Sequence, residues 1–196
     1  IVYYKAIDAA VITKRKISKN SKKPSKKVKR KTILVRVEEE QASYSSKKRP
    51  AVPIIKELIK NFHNEEIMVM GRYSSQVKYL AQTFGNKIKI LDKVVDGKTL
   101  LNKVDVFIGS GGTMTAESAL LGIPTISYNA IPNIVEAYLV RKKLVLRKRN
   151  PKQIVVSVRK FLDSPNLDLK KRSKEMLDSM EDPFPILVKT MKSILK

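Results

Sequence analysis

The chain has 196 residues, of which 42% are hydrophobic, and 41 Lys or Arg against 18 Asp or Glu give a formal net charge of +23 at pH 7. This length and composition fit one globular domain with extensions, and the lack of cysteine excludes disulfides, thiol catalysis and thiolate-ligated metals. No run of about 18 apolar residues occurs, so we predict no membrane span and expect a cytoplasmic protein. The chain begins with Ile1 and carries no signal-peptide pattern, so we expect a fragment or a processed product.

Residues 1–31 are predicted to form an N-terminal remnant and a lysine-rich linker or loop. Residues 1–13 alternate only weakly in polarity and fit either a strand or a short helix. Residues 14–31 are so dense in Lys and Arg that like charges repel, which favours a flexible linker or an exposed loop. The alternative is a basic surface for nucleic acid or an anionic membrane, although no aromatic side chain lies among the lysines to stack on a base.

Strands and helices alternate along the next part of the chain. Apolar and β-branched runs predict strands at residues 32–37, 66–71, 87–91, 104–108, 123–128 and 144–146. Apolar residues at helical spacing predict helices at residues 50–62, 76–84, 98–103, 113–121, 131–140 and 151–162. This order is typical of an α/β protein, and we predict a Rossmann-like, three-layer parallel sheet over residues 32–163. Two further amphipathic helices are predicted over residues 164–196, which we expect to form a C-terminal helical extension. The apolar stripe of the last helix needs a surface to pack against.

Polar residues follow the first two predicted strands, at the edge where parallel sheets bind ligands. Glu38, Glu39 and Glu40 come after the first strand, and we interpret them as a solvated acidic loop rather than as catalytic carboxylates. Arg72 comes after the second strand, next to a helix start, and is either a ligand contact or an ordinary surface arginine. His63, the only histidine, follows a helix and is interpreted as a surface residue.

The most informative stretch is residues 104–128, where a strand, a glycine-rich turn, a helix and a second strand follow one another. The turn consists of Gly109, Ser110, Gly111 and Gly112, and Thr113 opens the helix. Its backbone amides and the positive end of the helix dipole predict an anion site. Glu117, one helical turn later, can accept hydrogen bonds from a sugar diol beside a bound phosphate. The spacing matches neither a Walker loop nor the dinucleotide Gly-x-Gly-x-x-Gly, and the alternative is a turn that serves packing alone.

This motif resembles a signature in the C-terminal half of glycosyltransferase-B enzymes. It covers residues 109–126 and reads Gly-Ser-Gly-Gly-Thr-Met-Thr-Ala-Glu-Ser-Ala-Leu-Leu-Gly-Ile-Pro-Thr-Ile. It is similar in particular to an uncharacterised, largely archaeal family related to UDP-N-acetylglucosamine 2-epimerases. The resemblance implies a nucleotide diphosphate on the glycine turn and ribose hydroxyls on Glu117. The phosphate contacts that it implies are Ser110, Gly111, Gly112 and Thr113, with Arg36, Arg72 and Gly109 as further nucleotide-sugar contacts.

The resemblance therefore implies the nucleotide-diphosphate-sugar-binding domain, for a UDP-sugar, of a glycosyltransferase or a sugar-epimerase-like protein. Where the epimerases have a Glu-Glu pair and a Gln, this chain has Thr115, Ala116 and Glu117, so their reaction is not carried over. A missing N-terminal domain or a second copy is the expected partner, and the chain alone is expected to be inactive. No cofactor and no metal site are predicted, and Mg²⁺ on the diphosphate stays open. The alternatives are a nucleic-acid-binding module that uses residues 14–31 and a divergent scaffold without a ligand.

Overall fold

The computed structural model describes residues 4–15, 30–41, 49–91, 96–129, 131, 133–164 and 166–195. Most of the lysine-rich segment, residues 16–29, lies outside these ranges. The predicted linker and its alternative, a nucleic-acid surface, therefore both stay predictions.

Among the described residues, six strands form a single parallel sheet. They are β1 (Thr32–Arg36), β2 (Glu66–Met70), β3 (Lys89–Leu91), β4 (Val106–Gly109), β5 (Thr125–Ser127) and β6 (Val145–Arg147). Their spatial order is β3-β2-β1-β4-β5-β6, and every neighbouring pair is parallel. The central strands are nearly continuous runs of buried apolar residues, as a sheet covered on both faces requires. The predicted Rossmann-like parallel sheet is confirmed.

Helices cover both faces of this sheet. Their bounds are α1 (Asp8–Lys14), α2 (Ala51–Asn61), α3 (Ser74–Phe84), α4 (Gly97–Leu101), α5 (Thr113–Leu120), α6 (Ile134–Arg141), α7 (Pro151–Asp163), α8 (Leu167–Asp178) and α9 (Pro183–Ile194). Side-chain caps fix several starts. Asn133 accepts the N–H of Glu136 at 2.8 Å, so α6 begins after the position that we predicted. Asn150 caps α7 in the same way, with Pro151 at the first helical position.

The two faces of the sheet carry separate cores, because side chains alternate along each strand. Ile33 and Val35 of β1 pack with residues of α2, α3 and α7 on one face. Leu34, between them, packs on the other face with Phe107 and residues of α4. A further cluster on that face, around Ala119, joins α5 to α1, α6 and α8.

The segment before the lysine-rich stretch forms a helix rather than a strand. Ala9 and Ala10 of α1 are buried, and α1 packs against α5. The Lys14 ammonium donates to the carbonyl of Met180, which follows α8. The described part of the N-terminal segment is thus attached to the same core as the helix that follows the glycine turn.

The two C-terminal helices differ in burial, because α8 packs on the core and α9 does not. Ser173 of α8 is buried and donates to the carbonyl of Ala119 at 2.8 Å, which ties α8 to α5. No residue of α9 is buried, and its apolar stripe is exposed at Phe184, Leu187, Val188, Met191 and Ile194. None of the described helices has the length and apolar character that a membrane crossing requires.

Gly109 lies where β4 meets the glycine turn, and its site has no room for a side chain. An added Cβ would lie 2.6 Å from a ring carbon of Phe107 and 2.6 Å from Thr115 Oγ1, and both side chains are buried. We predict that Gly109→Ala lowers the free energy of unfolding by about 1–3 kcal/mol, because buried neighbours must shift.

The matched control is Gly97→Ala, at the first residue of α4. There an added Cβ makes an ordinary contact of 3.4 Å with Glu117 Oε2. Urea unfolding followed by circular dichroism should place this variant within about 0.5 kcal/mol of the parent. Equal losses in both variants would contradict the steric account of Gly109.

Candidate functional site

The sheet changes its direction of winding between β1 and β4. The chain moves from β1 outward to β2 and β3, and then returns to place β4 on the other side of β1. The connections that leave the carboxyl ends of β1 and β4 therefore run to opposite sides, which opens a crevice between them. Arg36 ends β1, and Gly109, the first residue of the glycine turn, ends β4. Both predicted features lie at this crevice.

The glycine turn leaves the start of α5 without a side-chain cap. Gly111 and Gly112 have φ angles of 97° and 82°, which other residues adopt only with strain. The carbonyl of Gly112 accepts the N–H groups of Thr115 and Ala116, at 3.1 and 3.2 Å. No described side chain caps the helix, and the first helical amides have no partner within a helix. The positive end of α5 therefore faces the crevice without a capping side chain among the described residues.

Arg36 carries its charge into this crevice. Its Nη1 lies 2.7 Å from Met70 Sδ and 3.3 Å from Met114 Sδ, and Met114 belongs to the first turn of α5. Thioether sulfur is a weak acceptor, so these contacts neutralise little of the charge. Burial lowers the pKa of Arg36 most, and the neighbouring positive charge of Arg72 lowers it further. The fold thus places Arg36 beside the first turn of α5, where the charge of Arg72 also acts on it.

Arg72 is held at the opposite wall of the crevice, two residues after β2. Its Nε is buried and has no hydrogen-bond partner among the described residues. The nearest ion pair joins this Nε to Glu39 Oε2 at 4.0 Å, which is long. Glu39 also accepts the hydroxyl of Tyr73, and this bond is the main cause of the lowered pKa of Glu39.

Glu117 lies in the second turn of α5 and is only 7% exposed. Burial raises the pKa of Glu117, and the charge of Arg36 acts against that rise. The Oε2 atom faces the start of α4, 3.4 Å from where a Cβ on Gly97 would lie. A carboxylate therefore lies next to Arg36, on the same side of the glycine turn as α4.

The prediction of a solvated acidic loop is wrong for Glu38. This residue is 4% exposed, and its Oε2 accepts the hydroxyl of Tyr128 at 2.8 Å and the N–H of Ala51 at 3.2 Å. Burial is the main cause that raises the pKa of Glu38, and burial also raises the pKa of Tyr128. Local sequence contains no signal for this pair, because the partners are 90 residues apart.

A cavity of about 180 Å³ lies beside the glycine turn, between α1, α5 and α6. Gly111, Gly112, Asn133 and Glu136 contribute to its lining. Thr115 also lines it, and Thr115 Oγ1 is buried with no partner in the described part of the chain. A polar group of a ligand held on the turn would find hydrogen-bonding atoms here. Sequence reasoning missed this cavity, because α1 and α6 are distant in the chain.

The predicted site residues fall at one end of the sheet, and His63 falls at the other. Arg36, Arg72, Glu117 and residues 109–113 surround the crevice. His63 is exposed, as predicted, and lines a groove at the amino ends of β1, β2 and β3. Within the described ranges, no group of three or more His, Asp or Glu side chains could hold a metal ion.

Comparison with known proteins identifies the family. The profile of the family described as "Protein of unknown function (DUF354)" matches residues 10–196, and the chain belongs to this family. The uncharacterized protein MJ0665 of Methanocaldococcus jannaschii is 32% identical over 115 residues. These residues are 58% of this chain and 33% of that protein, so the match spans about a third of the archaeal relative.

Solved structures show the same fold. The rhamnosyltransferase SpnG, complexed with spinosyn aglycone, has a TM-score of 0.64 at 14% identity and covers 83% of this chain and 45% of its own. The S. aureus MnaA–UDP co-structure has a TM-score of 0.63 at 15% identity, and the match covers 85% of this chain and 46% of MnaA. UDP-GlcNAc 2-epimerase of Neisseria meningitidis, bound to UDP-GlcNAc, has a TM-score of 0.57 at 15% identity, covering 85% and 45%.

These likenesses establish the fold. The chain has the Rossmann-like fold found in glycosyltransferase-B structures and in UDP-sugar epimerases. It spans less than half the length of each of these three proteins.

The buried Glu38 predicts a specific dependence of stability on pH. The folded state raises the pKa of Glu38 above its ordinary value of 4.5, so it holds the proton more tightly than the unfolded state does. The contribution of protonated Glu38 to the free energy of unfolding is fully present below about pH 4.5. It is lost as the pH rises through the pKa of Glu38 in the folded state. We predict that Glu38→Gln, which keeps an acceptor but cannot ionise, abolishes this loss.

The measurement is the urea midpoint of parent and variant at a series of pH values upward from pH 4. The difference between the two proteins removes the contributions of all other groups. Their stability curves should separate with rising pH, with the variant becoming the more stable. Parallel curves would show that Glu38 titrates as it does in the unfolded chain.

Proposed function

We propose that this chain is the C-terminal, nucleotide-diphosphate-sugar-binding half of a glycosyltransferase-B-like protein, with a UDP-sugar as its ligand. The observation that carries the proposal is the pair of guanidinium groups of Arg36 and Arg72 beside the uncapped start of α5. Burial and the positive charge of Arg72 lower the pKa of Arg36. The hydrogen-bond partners of Arg36 among the described residues are thioethers, with Glu117 and Glu39 acting on it through their charges. A dianionic group in the crevice would offset the repulsion between the two arginines and give Arg36 a stronger hydrogen-bond acceptor.

The chemistry of a diphosphate matches these donors. The amides of residues 110–113 would bind one phosphate group, as helix starts commonly do. Arg36 and Arg72 would bind phosphate oxygens through charge-assisted hydrogen bonds. If a reaction breaks the bond between sugar and diphosphate, negative charge grows on the diphosphate. The same donors would then stabilise the departing group.

Glu117 is proposed to bind the ribose. An ionised carboxylate accepts hydrogen bonds from both hydroxyls of a ribose diol. Its position one helical turn after the glycine turn supports a ribose next to the phosphates. Arg36 favours the ionised form of Glu117, although burial opposes it. The choice of uridine is supported by two structural neighbours, one in a co-structure with UDP and one bound to UDP-GlcNAc.

We also propose a domain organisation for the complete protein. Residues 1–31 would be a remnant and linker from a preceding domain, residues 32–163 the nucleotide-binding domain, and residues 164–196 a helical extension. The exposed apolar stripe of α9 supports contact with the missing domain or with a second copy. The activated sugar would lie in the cleft between domains, and the acceptor and the general base would come from the other side. The chain alone would bind the nucleotide without catalysing a reaction. The complete protein would be either transferase-like or epimerase-like.

The experiment is calorimetric titration with UDP and with uridine, on the parent, Arg36→Met and Arg72→Met. Loss of a charged hydrogen bond of about 1.5–3 kcal/mol should weaken UDP binding by roughly 10- to 100-fold and leave uridine binding unchanged. Arg36→Met should not lower the free energy of unfolding, because the new side chain packs against two thioethers and removes a buried charge. A gain or no change in stability with a loss of binding is the signature of a ligand-binding residue.

Arg159→Met is the matched control, since it removes the same charge from α7. Arg159 lies over the ring of Phe62, 5.2 Å from its centroid, far in the fold from the crevice. An equal loss of UDP affinity in Arg159→Met would indicate that UDP binds non-specifically through the net charge of +23 rather than at a defined site. Binding to net charge would also weaken steeply with added salt. No heat with UDP in the parent protein would leave the ligand-free scaffold as the better account.

A further inference from the structure

A chain of buried hydrogen bonds joins the glycine turn to the end of β1. Tyr128, directly after β5, is 2% exposed, and its hydroxyl donates to Glu38 Oε2 at 2.8 Å. The same hydroxyl lies 3.2 Å from the backbone carbonyl oxygen of Arg36, which is a second acceptor for its proton. The backbone N–H of Tyr128 donates to the carbonyl of Gly109 at 3.0 Å. Tyr128 thereby links the carboxyl ends of β1, β4 and β5.

A second arm of this chain reaches Arg72. Gln76 of α3 is 3% exposed, and its Nε2 donates to the backbone carbonyl of Glu38 at 3.0 Å. Its Oε1 accepts the backbone N–H of Arg72 at 2.8 Å and that of Tyr73 at 3.4 Å. Glu38 is the common member, since its side chain holds the Tyr128 arm and its carbonyl holds the Gln76 arm.

The common member is itself fixed to a helix. Glu38 Oε2 also accepts the N–H of Ala51, the first residue of α2. Glu38, Gln76 and Tyr128 are all buried, so they cannot readily exchange a lost partner for water. One arrangement satisfies all of these bonds at once. That arrangement sets the separation between the backbone of Arg36 and the backbone of Arg72.

We propose that Tyr128 and Gln76 are positioning residues that hold Arg36 and Arg72 at the separation a diphosphate requires. Both side chains are too deeply buried to bind a ligand themselves. They act through Glu38 on the ends of β1 and β2, which carry Arg36 and Arg72. Their effect on ligand affinity rests on the proposed function, whereas their effect on the ligand-free protein does not.

The first arm of the test measures UDP affinity by calorimetry in Tyr128→Phe and Gln76→Met, which keep side-chain size and remove hydrogen-bonding atoms. We expect each to weaken UDP binding about tenfold, as loss of support behind a binding residue does. The double variant should weaken it by less than the product of the two effects, because both act through Glu38. Ser173→Ala is the control. It removes a buried hydroxyl at the far end of α5 and should lower stability without changing UDP affinity.

The second arm uses backbone amide chemical shifts of the ligand-free protein. We expect Tyr128→Phe to shift the amide resonance of Arg72 as well as that of Arg36, because Glu38 and Gln76 transmit the change. Ser173→Ala should leave the Arg72 resonance in place. This readout needs no ligand, and a loss of stability alone does not move it.

Either arm can overturn the proposal. UDP affinity equal to the parent's in both folded variants would do so, and so would an unchanged Arg72 amide in Tyr128→Phe. If the parent protein does not bind UDP, the proposed function fails and the amide shifts decide alone. Coupled shifts at Arg36 and Arg72 then support the positioning chain, and uncoupled shifts reject it.

Discussion

The reversal of winding between β1 and β4 is the constraint on which the candidate site depends. It separates the loops at two adjacent strand ends and leaves the start of α5 open to a crevice. Hydrogen bonds along the sheet fix the register of Val35 with Ile108, so Arg36 and Gly109 are the next residues on each strand. The cation and the glycine turn are therefore placed by the backbone, before any side-chain contact is made.

Around this crevice the protein departs from the rules that maximise stability. Arg36 is half-buried beside another cation, Arg72 keeps a buried Nε without a hydrogen-bond partner among the described residues, and Glu117 is a buried acid. Charges taken out of water are costly unless they are paired, and such departures concentrate at functional sites. The rest of the fold follows the ordinary rules, with apolar strands, capped helices and buried apolar clusters on both faces of the sheet. The contrast supports a bound anion as the missing member of the site.

Local patterns predicted most of the fold and the near part of the site. Strand and helix periodicity predicted the sheet, and residues 109–113 with Glu117 could be proposed as site residues because turn and helix are contiguous in the chain. Helix α1 was left open, because it is short and becomes a helix by packing Ala9 and Ala10 on α5. Glu38 was mistaken for part of a solvated loop. Its partners Tyr128 and Gln76 come from other elements, and no pattern within a window of sequence reports contacts over 90 and 38 residues.

The central claim is that Glu117 and the glycine turn together hold a ribose and a diphosphate. The most direct measurement is the ratio of affinities for UDP and 2′-deoxyuridine diphosphate, in the parent and in Glu117→Gln. The account predicts that the parent prefers UDP by about tenfold, the worth of one hydrogen bond to a charged acceptor, and that the variant loses most of this preference. An equal preference in both proteins would place the ribose elsewhere and contradict the account.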